Sequence, residues 1–319
     1  MLTRLPSLFL GHGGGPAFFL RGGMFAAMDT DSPSANFLRS VSNVLPFRPS
    51  ALVVISAHWE GESNAIEILT TPSPSSPLLF DYYGFPETYE ITWPASQASI
   101  ELISRVNGLL ATAGFETVHN STRGFDHGVF VPLKLVFPDA EIPTLQISLH
   151  RSLDPLLHIA LGKALAPLRN EGVLIIGSGF ITHNLREISR SDPFVKPYPW
   201  IVEFCDWITT ILTGSSRIVQ STAPLGKKIG TPLKFSSVAS SIVSANRLAP
   251  HFSRVHPRTE HWLPLLVALG ASDSGDSEST ILATEIYQQI ILGSASMASY
   301  SFDSVDTTIT KVVKILPSH

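Results

Sequence analysis

Short runs of apolar, mainly β-branched residues, separated by helical patterns, are the feature of this sequence that most limits its fold. The clearest runs are Leu52–Ser56 (Leu-Val-Val-Ile-Ser) and Val173–Ile176 (Val-Leu-Ile-Ile). Continuous runs of this kind are typical of strands that are covered on both faces. Similar runs predict further strands at Ser7–Leu10, Ala65–Leu69 and Thr144–Leu149.

Between these strands, apolar residues recur with the spacing of an amphipathic helix. Helices are predicted at Ser96–Ala113, Pro155–Leu168 and Trp200–Leu212. A shorter helix is predicted at Thr259–Gly270, with Thr259 as its N-cap, Gly270 as its end and Pro264 in its first turn. Strands that alternate with helices predict an α/β fold, with a mixed or mostly parallel sheet and helices on both faces.

The composition excludes overall disorder. Of the 319 residues, 44% are apolar and 15% are charged, so the chain can bury a sizeable core. Two polar stretches, 271–280 and 214–222, are predicted loops, the first of them mobile. Neither is typical of a domain boundary, so we expect a single domain over 1–319.

Cysteine content and charge exclude several classes of partner and site. A single cysteine, Cys205, excludes a disulfide within the chain and a zinc site built from several thiolates. The net charge of -4 and the absence of a basic run predict no nucleic-acid partner. Pro6 interrupts the short apolar N-terminus, and no apolar run approaches the roughly 20 residues that span a bilayer. We therefore expect no membrane association and a cytosolic location.

The histidines suggest a metal site. His12, His58 and His183 follow three different predicted strands, and the carboxyl edge of such a sheet is where ligands bind. His127 lies in a predicted glycine-flanked loop, and His261 lies at the start of the short helix. Neutral imidazole is the most common transition-metal ligand, so these side chains predict a metal centre with open coordination positions. The other histidines are predicted to make ordinary hydrogen bonds (His119, His150, His158, His251 and His319) or a local loop contact (His256, before Pro257).

Other motifs exclude alternative sites. Gly11–Gly15 (Gly-His-Gly-Gly-Gly) matches neither a dinucleotide-binding nor a P-loop pattern. Ser178 has glycines on both sides, but a nucleophile elbow needs them two residues away, so a serine hydrolase is not predicted. The aromatic residues of 80–86 (Phe-Asp-Tyr-Tyr-Gly-Phe-Pro) predict either the wall of an apolar pocket or a packed loop.

Several motifs, in order along the chain, resemble those of the class III extradiol ring-cleavage dioxygenases, and most closely the 4,5-DOPA dioxygenase branch. Each motif alone has low specificity, but together they cover residues 6 to about 270. The motifs are Leu10-Gly-His-Gly, Ser56-Ala-His-Trp59, Tyr83-Gly-Phe-Pro86, Gly124-Phe-Asp-His-Gly128, Thr182-His-Asn-Leu185, Tyr198-Pro-Trp200 and Glu260-His-Trp-Leu-Pro264.

The resemblance implies a three-layer α/β/α fold and an enzyme that cleaves a DOPA-like or related catechol with O2. It implies that His12, His58 and His261 bind the metal, that His127 is the acid–base residue, and that His183 is a fourth ligand or a catalytic neighbour. Fe(II) is the metal expected for activity, Zn(II) is a possible bound metal, and no organic cofactor is implied.

The sequence leaves the third metal ligand open between two adjacent residues. A related branch uses a glutamate as third ligand, so either Glu260 or the adjacent His261 could face the metal, and we favour His261. The stretch after Gly270 has no counterpart in the family pattern, and the sequence predicts no oligomeric state.

Two alternatives to a dioxygenase remain. One is a zinc-dependent hydrolase on the same histidines, and the other is a non-enzymatic binding protein similar to Memo. The presence of both His127 and His183 favours an enzyme over a binding protein.

Overall fold

The computed structural model describes residues 4–70, 77–218 and 223–305, in which strands and helices alternate as the sequence predicts. The strands are β1 (Ser7–Gly11), β2 (Ala51–Glu60), β3 (Ile66–Leu69), β4 (Thr117–Asn120), β5 (Thr144–Leu149), β6 (Val173–Gly179), β7 (Lys228–Ile229), β8 (Leu233–Lys234), β9 (Thr280–Tyr287), β10 (Ile290–Ile291), β11 (Ala295–Ser296) and β12 (Ser299–Ser304). The α-helices are α1 (Pro33–Ser40), α2 (Ile100–Thr112), α3 (His127–Val136), α4 (Pro155–Leu165), α5 (Pro199–Thr213), α6 (Phe235–Val243), α7 (Ala245–Leu248), α8 (Phe252–Val255) and α9 (Leu263–Gly270).

One mixed sheet of ten strands organises the molecule, with the order β4-β3-β5-β2-β6-β1-β12-β9-β7 and β8 beside β9. The four strands at its centre, β5-β2-β6-β1, are parallel. Strand β12 runs antiparallel to β1, and β9 runs antiparallel to β12. The α/β class and the mixed sheet with its parallel strands are therefore confirmed.

Helices cover both faces of the sheet and make three layers, and the side chains of β2 contribute to both interfaces. Val53 and Ile55 of β2 belong to a core with α2, α4, α5, α6 and α9. Leu52 and Val54 belong to a second core with α1 and α3 on the opposite face. Because successive side chains of a strand point to opposite faces and both faces are covered here, the strand sequence is a continuous apolar run.

The predicted helices exist, with shifted ends. Helix α2 begins at Ile100, because the Ser99 side chain accepts a hydrogen bond from the Leu102 amide and caps the helix. Helix α4 ends at Leu165 and continues as a 3₁₀ helix over Ala166–Glu171. Helix α5 matches its prediction to within one residue at each end.

The start of α9 corrects a prediction. Thr259 is not the N-cap: the preceding residue is Trp262, and no side chain caps the helix. Instead, the Thr259 carbonyl accepts hydrogen bonds from the amides of Trp262 and Leu263. His261 therefore lies in a turn before the helix, and Pro264 is in the first helical turn, as predicted.

The stretch after Gly270, which has no counterpart in the sequence pattern, supplies part of the central sheet through β9 and β12. Residues 271–279 are irregular, although Ser272, Asp273 and Ser279 are buried; the predicted mobility of this loop stays a prediction. Of the second predicted loop, 214–218 are irregular and 219–222 lie outside the described residues. Among the described residues, no helix is long and apolar enough to cross a membrane.

Candidate metal centre

Three histidine side chains converge at the carboxyl end of the parallel strands. His12 directly follows β1, and His261 lies in the turn before α9. The Nε2 atom of His58 is 3.3 Å from Nε2 of His12 and 3.3 Å from Nε2 of His261. These three side chains therefore direct the same atom of each ring toward one point.

His58 does not follow its strand, as the sequence analysis expected, but lies within β2. The register of β2 against β5 shifts between Ile55 and Glu60, so the strand continues through an irregularity to Glu60. Such an irregularity turns a side chain away from the regular alternation and is common next to active sites. It explains how a residue inside a strand reaches the sheet edge.

Hydrogen bonding fixes the tautomer of His12. Its Nδ1 atom is 3.0 Å from Oγ of Ser178. The Ser178 hydroxyl donates its proton to the Gly128 carbonyl, so its oxygen accepts from Nδ1–H of His12. The lone pair of Nε2 therefore faces the point of convergence. Ser178 itself is buried inside β6, which agrees with the exclusion of a serine nucleophile.

Carboxylates fix the other two rings. Nδ1 of His261 donates to Oε1 of Glu260 at 2.9 Å, and Nδ1 of His58 is 3.4 Å from Oδ2 of Asp81. A carboxylate beside Nδ1 keeps the proton there and leaves Nε2 free to bind a metal. In the structure His261 faces the other two histidines, and Glu260 lies behind it.

The donor set fits a divalent transition metal. Burial, followed by the charges of neighbouring histidines, lowers the pKa of His12, His58 and His261 well below the ordinary value. Three neutral rings thus present three lone pairs to one another, an arrangement that a cation stabilises. Two nitrogen ligands with metal bonds of about 2.0–2.1 Å in a tetrahedral site are roughly 3.3 Å apart, and Nε2 of His58 is 3.3 Å from Nε2 of His12 and of His261.

His127 does not lie in a loop, which corrects the sequence expectation: it is the first residue of α3. Its Nδ1 donates to Oδ1 of Asp81 at 2.8 Å, and its backbone N–H donates to the same atom at 2.9 Å. Its ring centroid is 3.9 Å from that of His58. Burial raises the pKa of Asp81, but its hydrogen bond with His127 and the charges of the two histidines outweigh burial and hold the pKa at about 2.

The glycine after His127 permits this arrangement. A Cβ atom on Gly128 would lie 2.4 Å from Oγ of Ser56 and 3.1 Å from Cδ2 of His58. The contact with Ser56 is too short unless that side chain moves, so glycine lets the first turn of α3 pack against the end of β2. The glycine that suggested a loop in the sequence is thus required by a close helix–strand contact.

His183 lies beside the three converging histidines. Its ring is stacked on that of His261, with centroids 3.5 Å apart and planes inclined by 13°. Its Nδ1 is 3.6 Å from Oε1 of Glu260, and burial, followed by the charge of His127, lowers its pKa to about 4. Among the described residues, His183 and Glu260 form a second set of possible ligand atoms with His261, which also belongs to the set of His12 and His58.

Two carboxylates of the site were not identified as site residues from the sequence. One is Asp81, which accepts hydrogen bonds from His127, and the other is Asp126, which is fully buried. Asp126 accepts hydrogen bonds from Ser56 at 2.7 Å and from Arg123 at 3.2 Å, and Arg123 also donates to the His58 carbonyl at 2.8 Å. Burial, together with the charge of Asp81, raises the pKa of Asp126. This network joins the end of β2 to the start of α3.

A cavity of about 460 Å³ opens from the histidines toward the surface. Its walls are largely apolar and aromatic, as is usual for a pocket that accepts a flat organic ligand. Residues of the aromatic segment 80–86 line it, which supports the pocket-wall interpretation over that of a packed loop. The apolar lining side chains are Met24, Phe25, Met28, Tyr82, Tyr83, Phe85, Phe180, Leu185, Ile188, Leu292 and Ala295.

His319 lies outside the described residues, and the other remaining histidines do not line the cavity. His119 contacts the side chain of Asn107, His251 contacts Glu203, and the buried His150 and His158 are hydrogen-bonded to each other. His256 does not make the expected local contact: its Nε2 donates to the Ile181 carbonyl, 75 positions away, at 2.9 Å.

Comparison with known proteins identifies the family. The family described as the catalytic LigB subunit of aromatic ring-opening dioxygenase matches residues 23–294. This chain belongs to that family. The aromatic ring-opening dioxygenase predicted from the motifs is thereby confirmed, and the hydrolase and binding-protein alternatives lose their support.

Full-length relatives agree with this assignment. A 4,5-DOPA dioxygenase extradiol from Beta vulgaris is 34% identical over 90% of this chain and 96% of its own length. One from Escherichia coli (strain K12) is 33% identical over 93% of this chain and 94% of its own length. The crystal structure of an uncharacterized protein from Escherichia coli K12 superposes with a TM-score of 0.67 at 28% identity, covering 93% of this chain and 99% of the other. The predicted resemblance to the DOPA branch is confirmed.

Proposed function

We propose that this dioxygenase cleaves a DOPA-like or related catechol beside its two hydroxyl groups, with Fe(II) held by His12, His58 and His261. The observation that carries the proposal is the convergence of three Nε2 atoms at the floor of an aromatic cavity, with that of His58 3.3 Å from each of the other two. The 4,5-DOPA dioxygenase relatives support the substrate class and the position of cleavage.

The metal is part of the proposal. Fe(II) at three histidines would supply open positions for the catechol oxygens and O2, together with the redox chemistry that ring cleavage needs. Three histidines also suit Zn(II), but membership of a dioxygenase family favours iron for the active form. His183, stacked on His261 with Nδ1 toward Glu260, supports a role beside the metal more than a role as fourth ligand.

His127 and His183 lie beside the three proposed metal ligands, and we assign proton transfer to them. Because Nδ1 of His127 is held by Asp81, its Nε2 is the nitrogen available to the cavity. We assign to His127 the donation of a proton during ring opening. We assign to His183 the earlier step, in which it accepts a proton from a catechol hydroxyl or orients that hydroxyl.

The cavity walls orient the substrate. Phe180 lies next to the ring of His12, with centroids 5.8 Å apart, and Tyr82 lies next to His127 at 5.8 Å. A flat catechol between these aromatic walls would exclude water from the proton-transfer steps. Catechol and O2 are then the proposed partners, and one domain over 1–319 and a cytosolic location stay predictions.

Oxygen uptake after anaerobic loading with Fe(II) tests this function. We expect one O2 consumed per catechol with L-DOPA or a related catechol, and a yellow semialdehyde product. His251→Ala, which alters a surface histidine paired with Glu203, is the control and keeps full activity. No oxygen uptake with any of a panel of substituted catechols, or a colourless product cut between the hydroxyls, would refute the proposal.

A further inference from the structure

The cavity has a buried floor and an exposed mouth. His12 and His261 at the floor are 1% and 4% exposed, whereas Tyr83 and Leu185 at the mouth are 90% and 59% exposed. Arg190, which also lines the cavity, is exposed and belongs to the mouth. A catechol with both oxygens at the floor would therefore direct the substituent on the far side of its ring toward these mouth residues.

Charge at the mouth is one-sided. Among the described residues that line the cavity, Arg190 is the single arginine and there is no lysine, while Asp81 is the single carboxylate. The carboxylate of Asp81 is already engaged by His127 and His58. No acidic side chain of the cavity lining is thus available to neutralise Arg190.

Arg190 itself has no hydrogen-bonding or ionic partner among the described residues, although other arginines of this chain are paired. Arg254 in the same region, for example, forms a two-point ion pair with Glu187. The backbone that carries Arg190 is nevertheless anchored, because the Ser189 amide donates to the Leu292 carbonyl at 2.8 Å. The anchored backbone therefore keeps this side chain at the mouth, and the five donors of its guanidinium are available to a ligand.

We propose that Arg190 determines substrate specificity by binding an anionic substituent, such as a carboxylate, on the side of the catechol ring opposite the metal. The inference rests on the proposed function and specifies its substrate class as catechols with a negatively charged side chain. Guanidinium and carboxylate form paired, charge-assisted hydrogen bonds, which gives the subsite both charge and geometric selectivity.

Arg186 supplies a matched control. It lies four positions before Arg190 on the same segment, is exposed and carries the same charge, but it does not line the cavity. Arg186→Ala therefore makes the same change in net charge without altering the proposed subsite. Any effect of long-range electrostatics on an anionic ligand appears in both variants, whereas a direct contact affects only Arg190→Ala.

Binding is measured by anaerobic titration of the ferrous protein, so that the result does not depend on ring cleavage. The probes are 3,4-dihydroxyphenylacetate, which is anionic, 4-methylcatechol, which is neutral, and dopamine, which is cationic. We expect the anionic probe to bind about 10-fold tighter than the neutral one, the contribution of one charge-assisted contact. Arg190→Ala abolishes this preference, Arg186→Ala keeps it, and Arg190→Glu transfers it to dopamine.

The outcomes separate the two proposals. If the wild-type protein binds the anionic and neutral probes equally, or if Arg190→Ala weakens both to the same extent, Arg190 does not select the side chain and the inference is wrong. If the preference is present and depends on Arg190, but O2 is not consumed, the subsite stands and the proposed function fails.

Discussion

Two carboxylates each contact a pair of imidazoles at the site. Oxygens of Asp81 lie 3.4 Å from Nδ1 of His58 and 2.8 Å from Nδ1 of His127. Oε1 of Glu260 lies 2.9 Å from Nδ1 of His261 and 3.6 Å from Nδ1 of His183. Each carboxylate therefore joins one proposed metal ligand to one proposed catalytic histidine, and orients both.

His127→Ala should retain the metal and lose about 10²–10⁴-fold in kcat, the usual contribution of a general acid or base. Asp81→Ala should lose a similar factor, because two of its hydrogen bonds hold His127. Since Asp81 acts through His127, the double variant should be no slower than either single variant. The measurement is kcat at saturating metal, with metal content determined for each variant.

Glu203→Ala, which removes the carboxylate of a surface carboxylate–histidine pair, is the control for this cycle and should keep the wild-type kcat. Additive losses in the Asp81 and His127 variants would contradict the positioning role of Asp81. Loss of the metal from His127→Ala alone would show that His127 is a ligand and that the assignment to acid–base chemistry is wrong.

A buried histidine outside the cavity makes stability depend on pH. Burial is the largest influence on His158 and lowers its pKa to about 4, below the unfolded value of about 6.5. The unfolded chain therefore binds the proton first, and this group's contribution, about 3 kcal/mol, is present above pH 6.5 and is lost as the pH falls toward 4. Between pH 6.5 and 4, the free energy of unfolding of His158→Gln should fall less steeply with pH than that of the wild type. The two slopes should differ by at most the slope that corresponds to the uptake of one proton on unfolding. Equal slopes would contradict this.

Residue-level signals in the sequence identified some side chains and not others. His12 and His183 were found because each follows a strong apolar run and lies near small residues. Asp81 has no such signal, since it is one carboxylate among aromatic residues, and its importance arises only where segment 77–93 meets α3. Glu260 was considered only as an alternative ligand, whereas in the structure it holds the adjacent ring.

At the scale of elements, the contact between β6 and α9 places His261. A Cβ atom on Gly177 would lie 2.1 Å from the Pro264 carbonyl oxygen in the first turn of α9. Gly177→Ala should therefore push the helix from the sheet and cost about 1–3 kcal/mol, as overpacking typically does. Because His261 lies two residues before the start of α9, metal affinity should also fall. Denaturant unfolding and metal titration measure the two effects.

The matched control for that substitution is Gly108→Ala in α2, where the added methyl meets nothing within 4 Å. Alanine favours a helix interior over glycine by about 0.5–1 kcal/mol, so this variant should be slightly more stable, with unchanged metal affinity. If Gly177→Ala behaves like Gly108→Ala, the close contact between β6 and α9 does not position the site.

Helix α3 was not predicted, for a physical reason. Nine of its residues are buried, including Val129 and Phe130, so it has no polar face and no amphipathic pattern. Pro132 lies inside it, which in a sequence argues against a helix. Strands β7 and β8 have two residues each and are too short to give a pattern. The burial of α3 on all sides and the pairing of β7 and β8 with β9 arise only in the assembled fold, so a local sequence pattern does not predict them.

At the scale of the whole molecule, one buried arginine joins distant parts of the chain. Arg169 is 1% exposed and donates to the carbonyls of Leu5, Ala271 and Phe302. These lie before β1, after α9 and in β12. Arg169→Met should leave three buried carbonyls without this donor and destabilise the protein by about 3–5 kcal/mol, measured by denaturant unfolding.

Arg105→Met is the control, because Arg105 forms an exposed ion pair with Glu171, and such pairs contribute about 0–1 kcal/mol. Equal stability losses in the two variants would mean that Arg169 contributes no more than a surface arginine.

The sequence did not indicate the role of Arg169, since its three acceptors are backbone atoms between 102 and 164 positions away. The order of the C-terminal strands was not predicted either, because β12 is inserted between β1 and β9.

The metal centre depends on all three scales: on the tautomers of its histidines, on the contacts between elements and on the sheet that carries them. Its most direct test is elemental analysis of metal per chain in the wild type, His12→Ala, His58→Ala and the surface control His251→Ala. The account predicts one divalent metal per chain in the wild type and the control, and almost none in the other two. Full stoichiometric metal in both His12→Ala and His58→Ala, with the fold intact, would contradict it.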